Sequence, residues 1–173
     1  MKWSQETFTS KLVWGLAFSL TILLVTGCGN KSDSNSKAAT EFVLKLGGKV
    51  VPVHSDLPIE TAADIPESGF AVREIDLTNA KLKNIDLQKL SDLPYLETLN
   101  LHGTNLTDKG LVLIQDLPRL KSLELSYTRV SDAEVSKLTR FPKLKKIFLY
   151  GTVIKPQTID DLKSNLGGAT VYK

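Results

Sequence analysis

Leu96-x-x-Leu99-x-Leu101-x-x-Thr104-x-Leu106-Thr107-Asp108 continues through Gly110-Leu111 to Leu117-Pro118 and begins again 24 residues later. Leu120, Leu123, Leu125, Thr128, Val130, Ser131 and Asp132 form the second copy, and Leu144, Ile147, Leu149, Thr152 and Ile154 the third. The same step backwards gives Val72, Ile75, Leu77 and Leu82, with Ala80 in the threonine position, and one step further lands on Val51 and Val53. A self-similar period between about 20 and 29 residues is the mark of a repeat array, in which each unit buries its apolar face only against its neighbours.

Within a unit the pattern changes from strand to helix. Around Leu99-x-Leu101 the residues alternate, so Leu99 and Leu101 point inward while Thr98, Asn100 and His102 point outward. The threonine three residues after Leu101 can bond the turning backbone, and Thr104, Thr128 and Thr152 are expected to stack as a ladder. Thr107 before Asp108-Lys-Gly-Leu111 reads as a helix start, and Ser131-Asp-Ala-Glu134 fits a capping box. Leu111, Ile114 and Leu117, like Val135, Leu138 and Phe141, then present one apolar helical face. Pro94, Pro118 and Pro142 end these helices, while Pro156 suits a first helical position.

The ends read as caps. Ala38 to Leu46 predicts a short helix stopped by Gly47-Gly48, and Lys49 to Val53 an edge strand belonging to a degenerate first repeat. Gly167-Gly168 and a short strand from Ala169 to Tyr172 close the other end. The expected organisation is 38–71 as N-terminal cap and degenerate repeat, 72–167 as four repeats, and 168–173 as C-terminal cap strand.

The region before the repeats has a different character. Lys2 and Lys11 precede a run from Leu12 to Val25 that is apolar apart from Ser19 and Thr21, too short for a typical membrane span of about 20 residues. Residues 1–27 therefore read as a signal peptide, and 28–37, polar and serine-rich, as the start of the mature chain and a flexible tether. Val25-Thr26-Gly27-Cys28 resembles the lipobox of bacterial lipoproteins. That resemblance implies cleavage before Cys28, lipidation of its thiol, and a protein held at the cell membrane or outer membrane, facing away from the cytoplasm. The other reading is a free cysteine after an ordinary signal peptide or an uncleaved anchor. One cysteine excludes an intrachain disulfide framework, and a net charge of +3 over 173 residues does not point to nucleic acid.

The repeats themselves resemble the leucine-rich repeat family in its 24-residue bacterial form, strongly over about Val72 to Asn165 and weakly over Val51 to Gly69. The resemblance implies an α/β fold: a short solenoid with a parallel β-sheet on the concave face and helices on the convex face. It also implies a role in binding other macromolecules; the expected protein is non-enzymatic, takes no cofactor and binds an unknown protein or peptide, with its oligomeric state open and a monomer favoured. An envelope spacer without a high-affinity ligand is the alternative.

Outward positions fall into three columns: Glu74, Thr98, Ser122, Lys146; Asp76, Asn100, Glu124, Phe148; and His54, Thr78, His102, Ser126, Tyr150. Five strands at about 4.8 Å make a face about 20 Å across, suited to a peptide or a small domain. The candidate binding residues are Asp76, Thr98, Asn100, His102, Glu124, Ser126, Tyr127, Lys146, Phe148 and Tyr150. Tyr127, Phe148 and Tyr150 either anchor a partner or pack against the C-terminal cap. Ser126, His102 and Asp76 invite a remote hydrolase reading, but a diagonal neighbour lies about 7–8 Å away, on an open face without an evident oxyanion hole. His54 and His102, two strands apart at roughly 9–10 Å, are too distant to share a metal. Arg119, Lys121, Lys143 and Lys145 form a basic strip that is either a solvated face or a site for acidic partners.

Overall fold

The computed structural model describes residues 31–173; the signal-peptide and lipidation readings, Cys28 included, lie outside them. The fold is mixed α/β around one six-stranded sheet whose strands follow in chain order. Helix α1 (Lys31–Lys45) leads into β1 (Lys49–Pro52), β2 (Val72–Asp76) and β3 (Thr98–Asn100). Then come α2 (Asp108–Leu111), β4 (Ser122–Glu124), α3 (Asp132–Val135), β5 (Lys146–Phe148), α4 (Pro156–Asn165) and β6 (Thr170–Tyr172). From β2 to β6 every pairing is parallel, and Ile75, Leu99, Leu123, Ile147 and Val171 share one register position.

The alternation predicted for the strands places the core. Leu99, Leu101, Leu123, Leu125, Ile147 and Leu149 are buried, and so are Leu111, Ile114, Leu117, Val135, Leu138 and Phe141 from the second half of the repeat. Those second halves are less helical than their spacing predicts: α2 and α3 have four residues each, and Asn84–Leu90 and Ser136–Arg140 are 3₁₀ turns. Tight turns bring the same apolar residues inward while advancing the chain to the next strand within the repeat.

Two features of the N-terminal end depart from expectation. Residues 31–37 belong to α1 and are not a tether. Ser36, Ala39, Thr40 and Val43 are buried at helical spacing, and the Thr40 hydroxyl donates to Ser36 O at 2.8 Å. Small polar residues hide this amphipathic stripe from a reading based on apolar residues.

The predicted degenerate repeat is instead an antiparallel cap. β1 runs against β2, with Val50 opposite Ile75 and fully buried, while Val51 lies opposite Glu74 and is only half-buried, as is Val53. A parallel pair needs a crossover that brings the chain back to the same end. Residues 53–71 fold back instead, with Ile59 bridged to Val50 and Val53 N–H donating to Ala71 O. The sheet is therefore not wholly parallel.

The turn out of α1 fulfils its prediction. Gly47 adopts φ +75, with Gly48 N–H donating to Val43 O and Gly47 N–H to Leu44 O, the two bonds of a Schellman stop.

Successive repeats are tied by a relay that replaces the predicted capping box. Ser131 makes no side-chain cap bond. Its N–H and hydroxyl both donate to Asp108, one repeat earlier, at 2.8 and 2.6 Å. Asn84 accepts Thr107 N–H in the same way, at 3.3 Å, and donates to the Thr107 hydroxyl. Asp132 accepts Lys155 N–H and the Thr158 hydroxyl, at 2.9 and 2.7 Å. Thr104, Thr128 and Thr152 bond the turning backbone as expected: each hydroxyl donates to the carbonyl three residues earlier, closing its own turn.

Candidate functional site

Parallel register builds two of the three predicted columns: Glu74, Thr98, Ser122, Lys146, Thr170, and Asp76, Asn100, Glu124, Phe148, Tyr172. The third is held past the strand ends by further main-chain bonds. Asn79 N–H donates to His102 O, Gly103 N–H to Ser126 O and Tyr127 N–H to Tyr150 O, so Thr78, His102, Ser126 and Tyr150 stay aligned. His54 is not in this column; it sits in the turn after β1, because that strand runs the opposite way.

The polar residues that close the strands have a structural task. Asp76 accepts Thr78 N–H at 2.9 Å and its hydroxyl at 2.6 Å. Asn100 accepts His102 N–H at 3.0 Å, and Glu124 accepts Ser126 N–H at 2.7 Å. Each side chain thus pins the residue two places on, which orients the loop following the strand. Phe148 breaks the pattern and stacks on Tyr172, with ring centroids 4.6 Å apart and planes 7° from parallel. The ring thus packs against the cap strand.

Ser126, expected outward, is buried, and its Oγ accepts Tyr150 N–H at 3.0 Å. The Asp76 carboxylate holds Thr78, and His102 Nδ1 lies 3.9 Å from Glu124. The three residues of the hydrolase reading are not assembled as a catalytic set. Thr98 is half-buried and Lys146 exposed. At the other end of the strands, Lys121 pairs with Glu97 at 2.8 Å and holds its carboxyl below the usual range, and Arg119 lies over the Tyr95 ring at 4.6 Å.

Two exposed aromatic residues lie where the strands end. Tyr127 is 62% exposed and Tyr150 45%. The His102 ring meets Tyr127 edge to face, with centroids 5.2 Å apart. Asn79, Gly103, Tyr127 and Gly151 recur every 24 residues with φ of 59, 65, 56 and 66, so each repeat turns here through the left-handed region. The Tyr127 ring lies so close to Gly151 that a Cβ there would meet it at 2.6 Å. Sequence spacing located Tyr127 but gave no sign of this backbone state.

Away from the strand ends, a groove of about 1120 Å³ is lined in part by Pro94, Pro118, Val112, Phe141 and Arg140. Burial lowers the Arg140 pKa, and its guanidinium donates to Leu111 O and Lys137 O and lies over Phe141. Among the described residues no three His, Cys, Asp or Glu side chains are placed to hold a metal, and no helix is long and apolar enough to cross a membrane.

No curated protein matches the chain. Residues 71–130, which carry β2, β3, β4 and the segments joining them, match the family described as leucine rich repeat.

Proposed function

We propose that this is a non-enzymatic, lipid-anchored protein of the bacterial cell envelope that presents a short leucine-rich-repeat solenoid to a protein or peptide partner. The observation that carries the partner-binding reading is the row of His102, Tyr127 and Tyr150. Two exposed tyrosines stand at the ends of adjacent repeat strands, on a fold whose family suggests protein interaction. Large aromatic side chains held on a rigid sheet make binding anchors at low entropic cost. In this reading the outward strand positions form the concave face and the turns carrying Pro94, Pro118 and Pro142 the convex one. The burial of Ser126 supports the non-enzymatic part.

Anchoring rests on the Leu12 to Val25 run and Val25-Thr26-Gly27-Cys28. Acyl chains on Cys28 would each contribute about 0.8 kcal/mol per buried methylene, enough for stable attachment once two are present. The chain acts as a monomer, without cofactor or nucleic acid, outside the cytoplasm.

Two experiments test the proposal. Mass spectrometry of the membrane fraction should find an acylated Cys28 at the N-terminus; an unmodified chain beginning at Met1 rejects the anchor. A photocrosslinker at Tyr150 should capture a discrete partner in intact cells, and no capture rejects the binding reading.

A further inference from the structure

We propose that the Tyr127 ring is the receptor for a cationic side chain, arginine above all, of the partner protein or peptide. This rests on the partner-binding reading and names the chemistry recognised. It starts from an anomaly in the repeat. The left-handed position is filled by Asn79, Gly103 and Gly151, residue types that adopt φ near +60 readily. Tyr127 alone places a bulky side chain there, where such a residue is a genuine outlier. Glycine would serve the turn, so the fold does not call for the ring. Strain of this kind is kept where a side chain must be aimed at a ligand.

The ring is aimed at solvent. Gly151 lies beneath it and His102 meets it edge-on, yet most of its surface stays accessible. Elsewhere this chain covers rings with its own cations: Lys89 over Phe42 at 4.9 Å, Arg119 over Tyr95 at 4.6 Å and Arg140 over Phe141 at 4.7 Å. Among the described residues no cation lies over Tyr127 or Tyr150 in this way.

Charge around the ring selects the sign of the ligand. The strand-end segments 76–80, 100–104, 124–128 and 148–152 contain Asp76 and Glu124 and no lysine or arginine. Cations gather instead at the strand starts, as Arg73, Lys121, Lys145 and Lys146. Glu124 is oriented by Ser126 N–H and stands beside His102, whose ring touches Tyr127, so a cation on the ring finds a fixed carboxylate nearby. Arg129, the next cation in the chain, lies where the backbone has turned to bond Leu106 O. The electron-rich face of a tyrosine attracts a cation, and a guanidinium, planar and weakly hydrated, stacks on it better than an ammonium. An anionic ligand would meet Asp76 and Glu124 instead.

The test titrates the full chain in detergent with a pentapeptide carrying two arginines, and separately with the same peptide carrying two glutamates, while ring NMR signals of Tyr127 and His102 are followed. The arginine peptide should shift both and the glutamate peptide neither. Tyr127→Phe should bind as the parent does, and Glu124→Gln should bind more weakly. Tyr127→Asn should lose about fivefold to tenfold in affinity without a lower unfolding temperature, which a merely structural tyrosine would not allow. Equal response to both peptides, no response to either, or unchanged binding by Tyr127→Asn overturns the proposal. A partner captured in cells through Tyr150, together with no arginine binding, overturns it while leaving the partner-binding reading intact.

Discussion

Asp108 accepts both the main-chain N–H and the hydroxyl of Ser131, so a single carboxylate spans the boundary between two successive repeats. Asp108→Ala should destabilise the protein by about 1–3 kcal/mol in urea unfolding, because the Ser131 N–H loses its acceptor. Ser131→Ala should cost less, since the main-chain bond survives. Were Ser131 an ordinary helix cap with Glu134, the order of the two effects would reverse.

Asp132 gives this relay a pH dependence. The Lys155 N–H foremost, then the Thr158 hydroxyl, hold its carboxyl below its ordinary value of 3.8. The folded form therefore binds a proton less readily than the unfolded chain. Its contribution is complete above the ordinary value and is lost as pH falls through the depressed one. Urea midpoints should drop below about pH 4, and the drop should be shallower in Asp132→Asn. An identical acid limb in the variant would show that Asp132 takes no part.

Gly110 looks like a helix position that alanine would improve, a gain of up to about 1 kcal/mol on propensity alone. A Cβ there would meet Asn84 Oδ1 at 2.5 Å and the buried side chains of Leu87 and Leu106 at 2.7 and 2.8 Å. Asn84 is held by Thr107 and cannot withdraw freely. Gly110→Ala should therefore lower stability by about 1–3 kcal/mol in chemical denaturation. A stabilised variant would mean that the boundary is looser than its distances indicate.

Ser126→Ala removes the acceptor of Tyr150 N–H from a buried site. A loss of about 1–3 kcal/mol in thermal or urea unfolding is expected. Faster hydrogen exchange at Tyr150 should accompany it. Exchange unaltered at that amide would place its acceptor elsewhere.

The core was legible because periodicity reports which residues leave water. Leu99, Leu123 and Ile147 are buried where alternation put them, and the strands pair in the register that a 24-residue step demands. Two kinds of feature stayed hidden. Val51 and Val53 kept phase with the repeats, yet strand direction depends on whether the following segment crosses over or folds back, and leucine spacing carries no information on that. Asp76, Asn100 and Glu124 occupied the predicted outward column, but their first use is to hold the loop that follows, a bond two residues long that looks the same in sequence as a free surface group. The relay had a signal that hydrophobic pattern overlooks: Asn84, Asp108 and Asp132 recur at the repeat step.

That relay also sets the increment by which such a chain can lengthen. Each of these side chains meets its N–H partner 23 residues further on, so an insertion of one or two residues breaks a boundary, whereas duplicating a whole 24-residue unit reproduces it. Every duplication would widen the sheet by about 4.8 Å and leave both caps untouched. A descendant of this protein would gain recognition surface in whole steps, and tune it within a step only by exchanging side chains.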